Sequence, residues 1–396
     1  MENNTSRICI VTVGYNRPDA MARLLNSLLE ADYLGDSVDL VISLDKGARQ
    51  AEIVAKADEF MWPYGNKTVR AFPERQGLRK HIVQCGDFAL EYDAVIILED
   101  DITVSKGFYT YAKQAGEFYG DDLRIGGISL YKHHVNVGVD HFFEPEFNGY
   151  DAFLMQFAQS WGQCWTTRMW RDFRDWYEIN ADKIFTSPYF QADRIPDNIL
   201  HWGSQSWMKY YMEYIVERDL YYVYPYHALT TNHSEVGQHN NAASADWQIE
   251  TTDAVFDYRF PTFDQAVKYD IFFERIGFSV KGYEDKKVVL DLYGNKKTFE
   301  GGDVLITSKP RPYQQIATWK LKYRPHEKNC TYPEEGDGLY VYDLHSQLEK
   351  APDKADNRIR TRYDVRAIPW NQLIKLGASE FKDKASRKVK SKIKKK

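Results

Sequence analysis

Val95-Ile96-Ile97-Leu98-Glu99-Asp100-Asp101 is the stretch of this chain best suited to chemistry. Four branched apolar residues read as a fully buried strand, and the run stops at three carboxylates. Packed acids repel one another and raise each other's proton affinity, so a fold gains no stability by placing them together. A divalent cation resolves that conflict. Hard carboxylate oxygens suit Mg²⁺ or Mn²⁺, and Mg²⁺ is usually held by one or two carboxylates together with substrate phosphates. In an open α/β sheet, ligands bind outside the carboxyl ends of the strands, which is where this triplet falls. The structural alternative is an acidic cap, with Asp100 or Asp101 opening a helix that begins near Ser105.

Several elements must position these acids. Ile8–Val13 reads as a buried strand ending at Gly14-Tyr15-Asn16-Arg17-Pro18. Pro18 can open a helix, and Met21, Leu24, Leu25, Leu28 and Leu29 then form an apolar stripe at helical spacing. A second strand, Val38–Leu44, ends at Asp45. A helix over 48–60, a short strand over 68–72 and a helix over 77–90 lead into the acidic strand. This alternation predicts an α/β fold, with a mostly parallel sheet covered by helices on both faces. Asn16, Asp45 and Glu99–Asp101 all fall at strand ends. A nucleotide pocket along the sheet edge requires that coincidence, whereas a simple core does not. Arg79 and Lys80 stand at a helix start, where cations and backbone N–H groups favour an anion; a solvated helix face is the other reading.

The 396 residues suffice for two or three domains. Aromatic residues make up 15% of the chain, enough for sugar- or base-stacking platforms as well as core packing. Cys9, Cys85, Cys164 and Cys330 lack metal or disulfide spacing and fit a reducing compartment. Neither a signal segment nor a run of roughly 20 apolar residues is present, so the expected location is cytoplasmic. The formal charge of −5 hides a tail: Phe381–Lys396 holds nine Lys/Arg and one Asp. An acidic body argues against nucleic acid as a partner, while the basic tail suggests an anionic membrane surface. Phe381, Ala385, Val389 and Ile393 form a narrow apolar stripe on it, as in a peripheral anchor on the inner face of the plasma membrane.

Val11–Pro18 and the Glu99-Asp100-Asp101 strand resemble the opening loop and the metal-binding acidic motif of GT-A-fold glycosyltransferases. The E-D-D form after Ile96-Ile97-Leu98 resembles that of glycosyltransferase family 2 and the N-acetylglucosaminyltransferase I-like family. Phe157–Trp165 is similar to their aromatic acceptor-side segment, and Tyr224-Pro225 through Asn232, Gly237 and His239 to their closing stretch. The resemblance covers roughly 7–240. It implies a nucleotide-sugar-binding domain over 1–265, a smaller β-rich or α+β accessory module over 266–375, and the basic tail 376–396. It further implies transfer of a hexosyl or N-acetylhexosaminyl group from a nucleotide diphospho-sugar to a glycan or lipid-linked acceptor, as in bacterial surface polysaccharide synthesis. Asp101 would bind Mn²⁺ or Mg²⁺, with His239 as a second ligand and His233 as its rival. Thr12, Gly14, Asn16, Arg17, Asp45, Arg79, Glu99 and Asp100 would hold the donor. Trp161 and Gly162 would line the acceptor side, where an indole face can stack on a sugar. His133 and His134 read as acceptor-side or incidental.

An inverting transferase also needs a carboxylate base. Relatives carry it beside a Trp, in a segment corresponding here to Leu200–Trp207, which contains no acid. Asp197 is nominated and Glu213 is the alternative; a retaining mechanism or an inactive domain would also account for the gap. Two other classes compete with the transferase. A nucleotidyltransferase would need a Gly-rich basic loop after the first strand, which 14–18 matches poorly. A non-catalytic sugar-binding scaffold is favoured by the missing acid and opposed by the intact triplet. Trp161, Trp165 and Trp170 fit two faces of one helix or core packing. In the C-terminal third, Lys287–Tyr293 and Lys296–Phe299 read as a β-hairpin turning at Gly294-Asn295.

Overall fold

The computed structural model describes residues 7–186, 194–235, 245–351, 357–366 and 368–393. It opens with β1 (Ile8–Gly14), α1 (Pro18–Leu29), β2 (Asp39–Leu44), α2 (Gln50–Glu59), β3 (Lys67–Ala71), α3 (Leu78–Gly86) and β4 (Ala94–Glu99). Every residue of β1 is buried, and in β4 only Glu99 is not fully so, because both strands run through the middle of the sheet. The helix expected over 77–90 ends at Gly86, after which a 3₁₀ turn covers Asp87–Leu90. Gly86 lies against the Trp170 indole so closely that a Cβ would come within 2.2 Å of it.

Ile102–Val104 forms β5, so the helix expected near Ser105 does not start there. It starts at Phe108, as α4 (Phe108–Tyr119), and Gly107 precedes it without a side-chain cap. Neither Asp100 nor Asp101 caps a helix, and the structural alternative for the triplet falls away. The chain continues through β6 (Ile125–Ser129), a ribbon of β7 (Val135–Asn136) and β8 (His141–Phe142), then β9 (Ala152–Met155), β10 (Gln163–Thr166) and α5 (Thr167–Asn180). A short helix Asp197–Leu200 and a longer one Trp207–Arg218 lead to β11 (Tyr221–Pro225) and β12 (Thr230–Asn232). Trp161, Trp165 and Trp170 therefore occupy a loop, β10 and α5 rather than one helix. Trp165 and Trp170 are core, with ring centroids 4.6 Å apart.

The main sheet also takes β13 (Lys268–Tyr269) and β14 (Arg275–Ile276), giving the order β14-β13-β9-β11-β6-β10-β4-β1-β2-β3. Five of its nine pairings are parallel, including all those among β4, β1, β2 and β3. Beyond β4 the sheet is mixed, because β10 lies antiparallel to both β4 and β6.

A second, four-stranded sheet follows: β15 (Val288–Asp291), β16 (Val304–Thr307), β17 (Tyr313–Lys320) and β18 (Gly338–Gln347), ordered β15-β16-β18-β17. The expected hairpin is absent. β15 instead pairs in parallel with β16, and residues 296–299 form no strand. Buried Asp291 gathers the turn, accepting hydrogen bonds from Lys296 N, Thr307 Oγ1 and Arg311 Nη2 at 2.8–2.9 Å. Val280, Leu290, Ile306, Trp319 and Val341 form a separate core for this module. Helices Asn357–Val365 and Trp370–Ile393 close the chain. Among the described residues no helix is long and apolar enough to cross a membrane. All four cysteines are buried and unbridged.

Candidate functional site

The chain runs outward from β1 to β2 and β3 on one side, and β4 returns to the other side of β1. The crevice at the carboxyl ends of β1 and β4 is therefore a topological switch point, the general place for a ligand in an open α/β sheet. In register, Val13 faces Glu99, and the Asp100 N–H donates to Val13 O at 3.0 Å. This pairing holds the loop after β1 against the acidic triplet.

Arg17 reaches across the crevice. Its Nη2 donates to Asp100 Oδ1, and its Nη1 to Asp101 Oδ2 at 3.3 Å. Asp100 is 3% exposed. Burial pushes its carboxyl up to about 6, against the pull of Arg17 and with a further push from Asp101. Glu99 rises to about 8, chiefly through burial and then the Asp101 charge; Arg17 and a hydrogen bond from Trp207 act the other way. Asp101 Oδ1 is buried with no hydrogen-bond partner among the described residues. An oxygen of that kind suits a hard cation. Among the described residues no group of three His, Cys, Asp or Glu side chains converges as ligands. The Asp101 oxygen beside Asp100 fits a cation held by one or two carboxylates together with phosphate oxygens.

Asp45 sits 4% exposed at the end of β2, accepting from Lys46 N at 2.8 Å, Gln76 N at 2.7 Å and Gly77 N at 3.0 Å. It thereby fixes the loop that enters α3. Gly77 has φ +78°, in the left-handed region, and a Cβ there would lie 2.9 Å from Gln205 Oε1. Asn16 Oδ1 accepts from Arg49 N at 3.0 Å and so braces the β1 loop against the start of α2. Thr12 is fully buried within β1, and its hydroxyl has no partner among the described residues. Arg79 donates to the Tyr210 hydroxyl, with its guanidinium carbon 4.8 Å from the ring centroid.

Trp207 and Tyr210 lie on the helix Trp207–Arg218, so that helix touches Glu99 through one ring and the start of α3 through the other. Sequence reasoning missed both contacts. The partners are more than 100 residues apart, and no spacing signals them.

Gly162 has φ +97°, and a Cβ there would lie 2.7 Å from Thr230 Cγ2. Only glycine suits both the backbone and the close approach. Thr230 Oγ1 donates to Trp161 O at 2.5 Å, and Leu130 N to Gly162 O at 2.9 Å. Half-buried Trp161 packs edge-on against Tyr131 at 4.8 Å and lies 5.2 Å from Trp247. Behind the loop, Gln159 Oε1 accepts from Ser160 N and Trp161 N, while Gln159 Nε2 contacts His133 Nε2 at 3.1 Å. Burial pushes His133 down to about 3, so it is a neutral brace for the loop. His134 lies 3.4 Å from the Tyr131 hydroxyl.

β12 pairs antiparallel with β5 and carries the following residues beside the triplet. His233 N donates to Asp101 O at 2.9 Å, and its ring Nε2 meets Thr103 Oγ1 at 3.1 Å. His239 and Gly237 lie outside the described residues. Asp197 begins the short helix Asp197–Leu200, stands about half exposed, and is ion-paired with Lys297 of the second module. Glu213 is buried on the helix Trp207–Arg218, where its charge raises the proton affinity of Lys209 against that residue's larger burial effect.

No protein-family model and no curated protein matches the chain. Among solved structures, it is similar over 45% of its length to the mannosyltransferase PcManGT from Pyrobaculum calidifontis in complex with GDP-Man and Mn²⁺. That similarity has 15% identity and a TM-score of 0.30, and covers 47% of that chain. It is similar over 42% of its length to S. aureus TarS 1-349 in complex with UDP, at 16% identity and a TM-score of 0.32, covering 48% of that chain. The overlaps span about half the length of these proteins.

Proposed function

We propose that this chain is a metal-dependent glycosyltransferase with a GT-A donor site, moving a sugar from a nucleotide diphospho-sugar to a glycan or lipid-linked acceptor. The observation that carries the reading is the meeting of Arg17 with Asp100 and Asp101 at the switch point between β1 and β4. A diphosphate leaving group needs its developing charge neutralised, and a bound cation supplies that as a Lewis acid and template. Asp101, with its unpartnered oxygen, is the proposed ligand for Mn²⁺ or Mg²⁺, and His239 the proposed second one. Arg17 exchanges its two carboxylates for phosphate oxygens in this reading, since these match a guanidinium fork equally well. Glu99 and Asp100 accept from ribose or sugar hydroxyls, and Asp45 orders the loop around the base and ribose.

On the acceptor side, Trp161 offers a ring at the mouth of a loop that Gly162 and Gln159 hold rigid. Asp197 is the proposed base, released from Lys297 when the acceptor hydroxyl arrives. The basic tail supports peripheral attachment to the inner membrane face, as suits a lipid-linked acceptor in surface polysaccharide synthesis. A scaffold with a degenerate site is the second reading, favoured by the absence of an acid over 200–207. Slow transfer to water separates them: incubation with nucleotide sugars and Mn²⁺ should release a nucleoside diphosphate, and a chelator should stop it. Binding of the nucleotide without any release, with every donor and acceptor offered, would favour the scaffold.

A further inference from the structure

The second module carries a cleft of about 800 Å³ that the donor site does not use, lined by Leu321, Lys322, Arg358, Ile359, Arg362, Tyr363, Arg366 and Trp370. Among the described lining residues four are cations and none is an acid. Arg358, Arg362 and Arg366 follow one another at i, i+4 and i+8 along the helix Asn357–Val365 and its end. Like charges at that spacing oppose helix formation.

The same helix is firmly anchored to the second module. Arg360 is buried and donates to Leu292 O at 3.0 Å, Tyr363 Oη donates to Tyr323 O at 2.6 Å, and Arg324 Nη2 donates to Tyr363 O at 2.8 Å. Asp364, two residues from both Arg362 and Arg366, is engaged with His141 at 2.5 Å and Arg360 at 3.3 Å. The arginine row is therefore presented on a fixed support.

Two of the guanidinium groups are also pre-oriented by aromatic rings. Arg362 lies 5.4 Å from the Trp370 ring centroid and Arg366 lies 5.7 Å from that of Tyr363, while Arg362 Nη1 donates to Ile368 O at 2.9 Å. A guanidinium on a ring face keeps N–H edges outward, the geometry that binds a phosphate bidentately. Lys322 adds charge at the rim, although Glu334 holds it at 2.6 Å. We propose that the cleft around Arg362 and Arg366 binds a phosphate-ester group, separately from the donor site.

The phosphate could be carried on a lipid headgroup or on a soluble phosphoester, and two measurements on the full chain tell these apart. The first is sedimentation with phosphatidylcholine vesicles with and without phosphatidylglycerol; the second is calorimetry with glycerol phosphate. A lipid-borne phosphate predicts binding to the anionic vesicles that weakens about thirtyfold in Arg362→Ala/Arg366→Ala, at about fivefold per arginine near a charged surface. A soluble phosphoester predicts glycerol phosphate binding that the double variant loses. In either case the ligand must also slow amide exchange in the wild-type helix Asn357–Val365, a readout that needs no variant. The proposal is overturned if wild type and double variant behave alike in both measurements, or if no ligand slows exchange there. Binding to vesicles that survives in the double variant would assign the contact to the tail alone. Nucleotide binding at Asp101 is measured on the same samples and stands or falls independently.

Discussion

Arg17 and Asp101 are ion-paired across the gap between the ends of β1 and β4, and the same guanidinium holds Asp100. One cation is thus shared by two carboxylates that adjoin a third, Glu99. Without a metal, the arginine is what makes this acidic crevice tolerable. With a metal and a diphosphate, the three charges can be shared differently.

Arg17→Ala should therefore lower stability by about 2–4 kcal/mol, since removing one partner of a largely buried pair strands the other charge. The loss should depend on pH. Asp100 titrates near 6 in the folded chain and near 4 when unfolded, so its protonated form is the favoured one, and stability falls as pH rises through 6. The penalty of the variant should thus be larger at pH 8 than at pH 5 in urea titrations, and Mn²⁺ should restore part of it. Equal penalties at both values would remove Arg17 from this role.

Asp45→Ala should leave the N–H groups of Gln76 and Gly77 without their acceptor. A cost of about 1–3 kcal/mol is expected, together with weaker nucleotide binding as the loop entering α3 loosens. Asp45→Asn, which keeps one acceptor oxygen, should lose less on both counts. Thermal melts with and without nucleotide read the two effects.

Gly162→Ala should cost about 1–3 kcal/mol, because alanine is strained at φ +97° and its Cβ meets Thr230. Trp161 should become more exposed, which a red shift in tryptophan emission would report. A variant that melts with wild type would show that the loop adapts easily.

His81 and His133 are buried neutral, pushed down to about 4 and about 3. Both bind a proton more readily when unfolded, so their contribution is intact above about 6.5 and is lost as pH falls below it. Between pH 8 and pH 5 each should withdraw about 2 kcal/mol. Relative to wild type, His133→Gln should be less acid-sensitive over that window. Parallel curves would show that another group governs the acid limb.

β1 and β4 were legible because unbroken apolar runs have only one comfortable place, the middle of a sheet, and because both end in polar residues. β10 was not. Gln163–Thr166 is four residues long and half polar, and its antiparallel insertion between β4 and β6 is decided by long-range pairing. The 287–299 hairpin was misread for a related reason. Gly294 does adopt positive φ, but buried Asp291 closes the turn with hydrogen bonds, and β15 finds β16 instead. Within the site, the acidic triplet and Asp45 announced themselves as carboxylates at strand ends. The contact of Trp207 with Glu99 and the bridging by Arg17 are tertiary facts with no local signature.

The most direct test of the donor site is calorimetric titration of UDP, GDP and their sugar conjugates, with and without Mn²⁺, into wild type and Asp101→Ala. The account predicts that one nucleotide diphosphate binds only with the metal, and that Asp101→Ala loses that binding by at least about tenfold, equivalent to about 1.4 kcal/mol. Equal binding by the variant, or no binding under any condition, would contradict it.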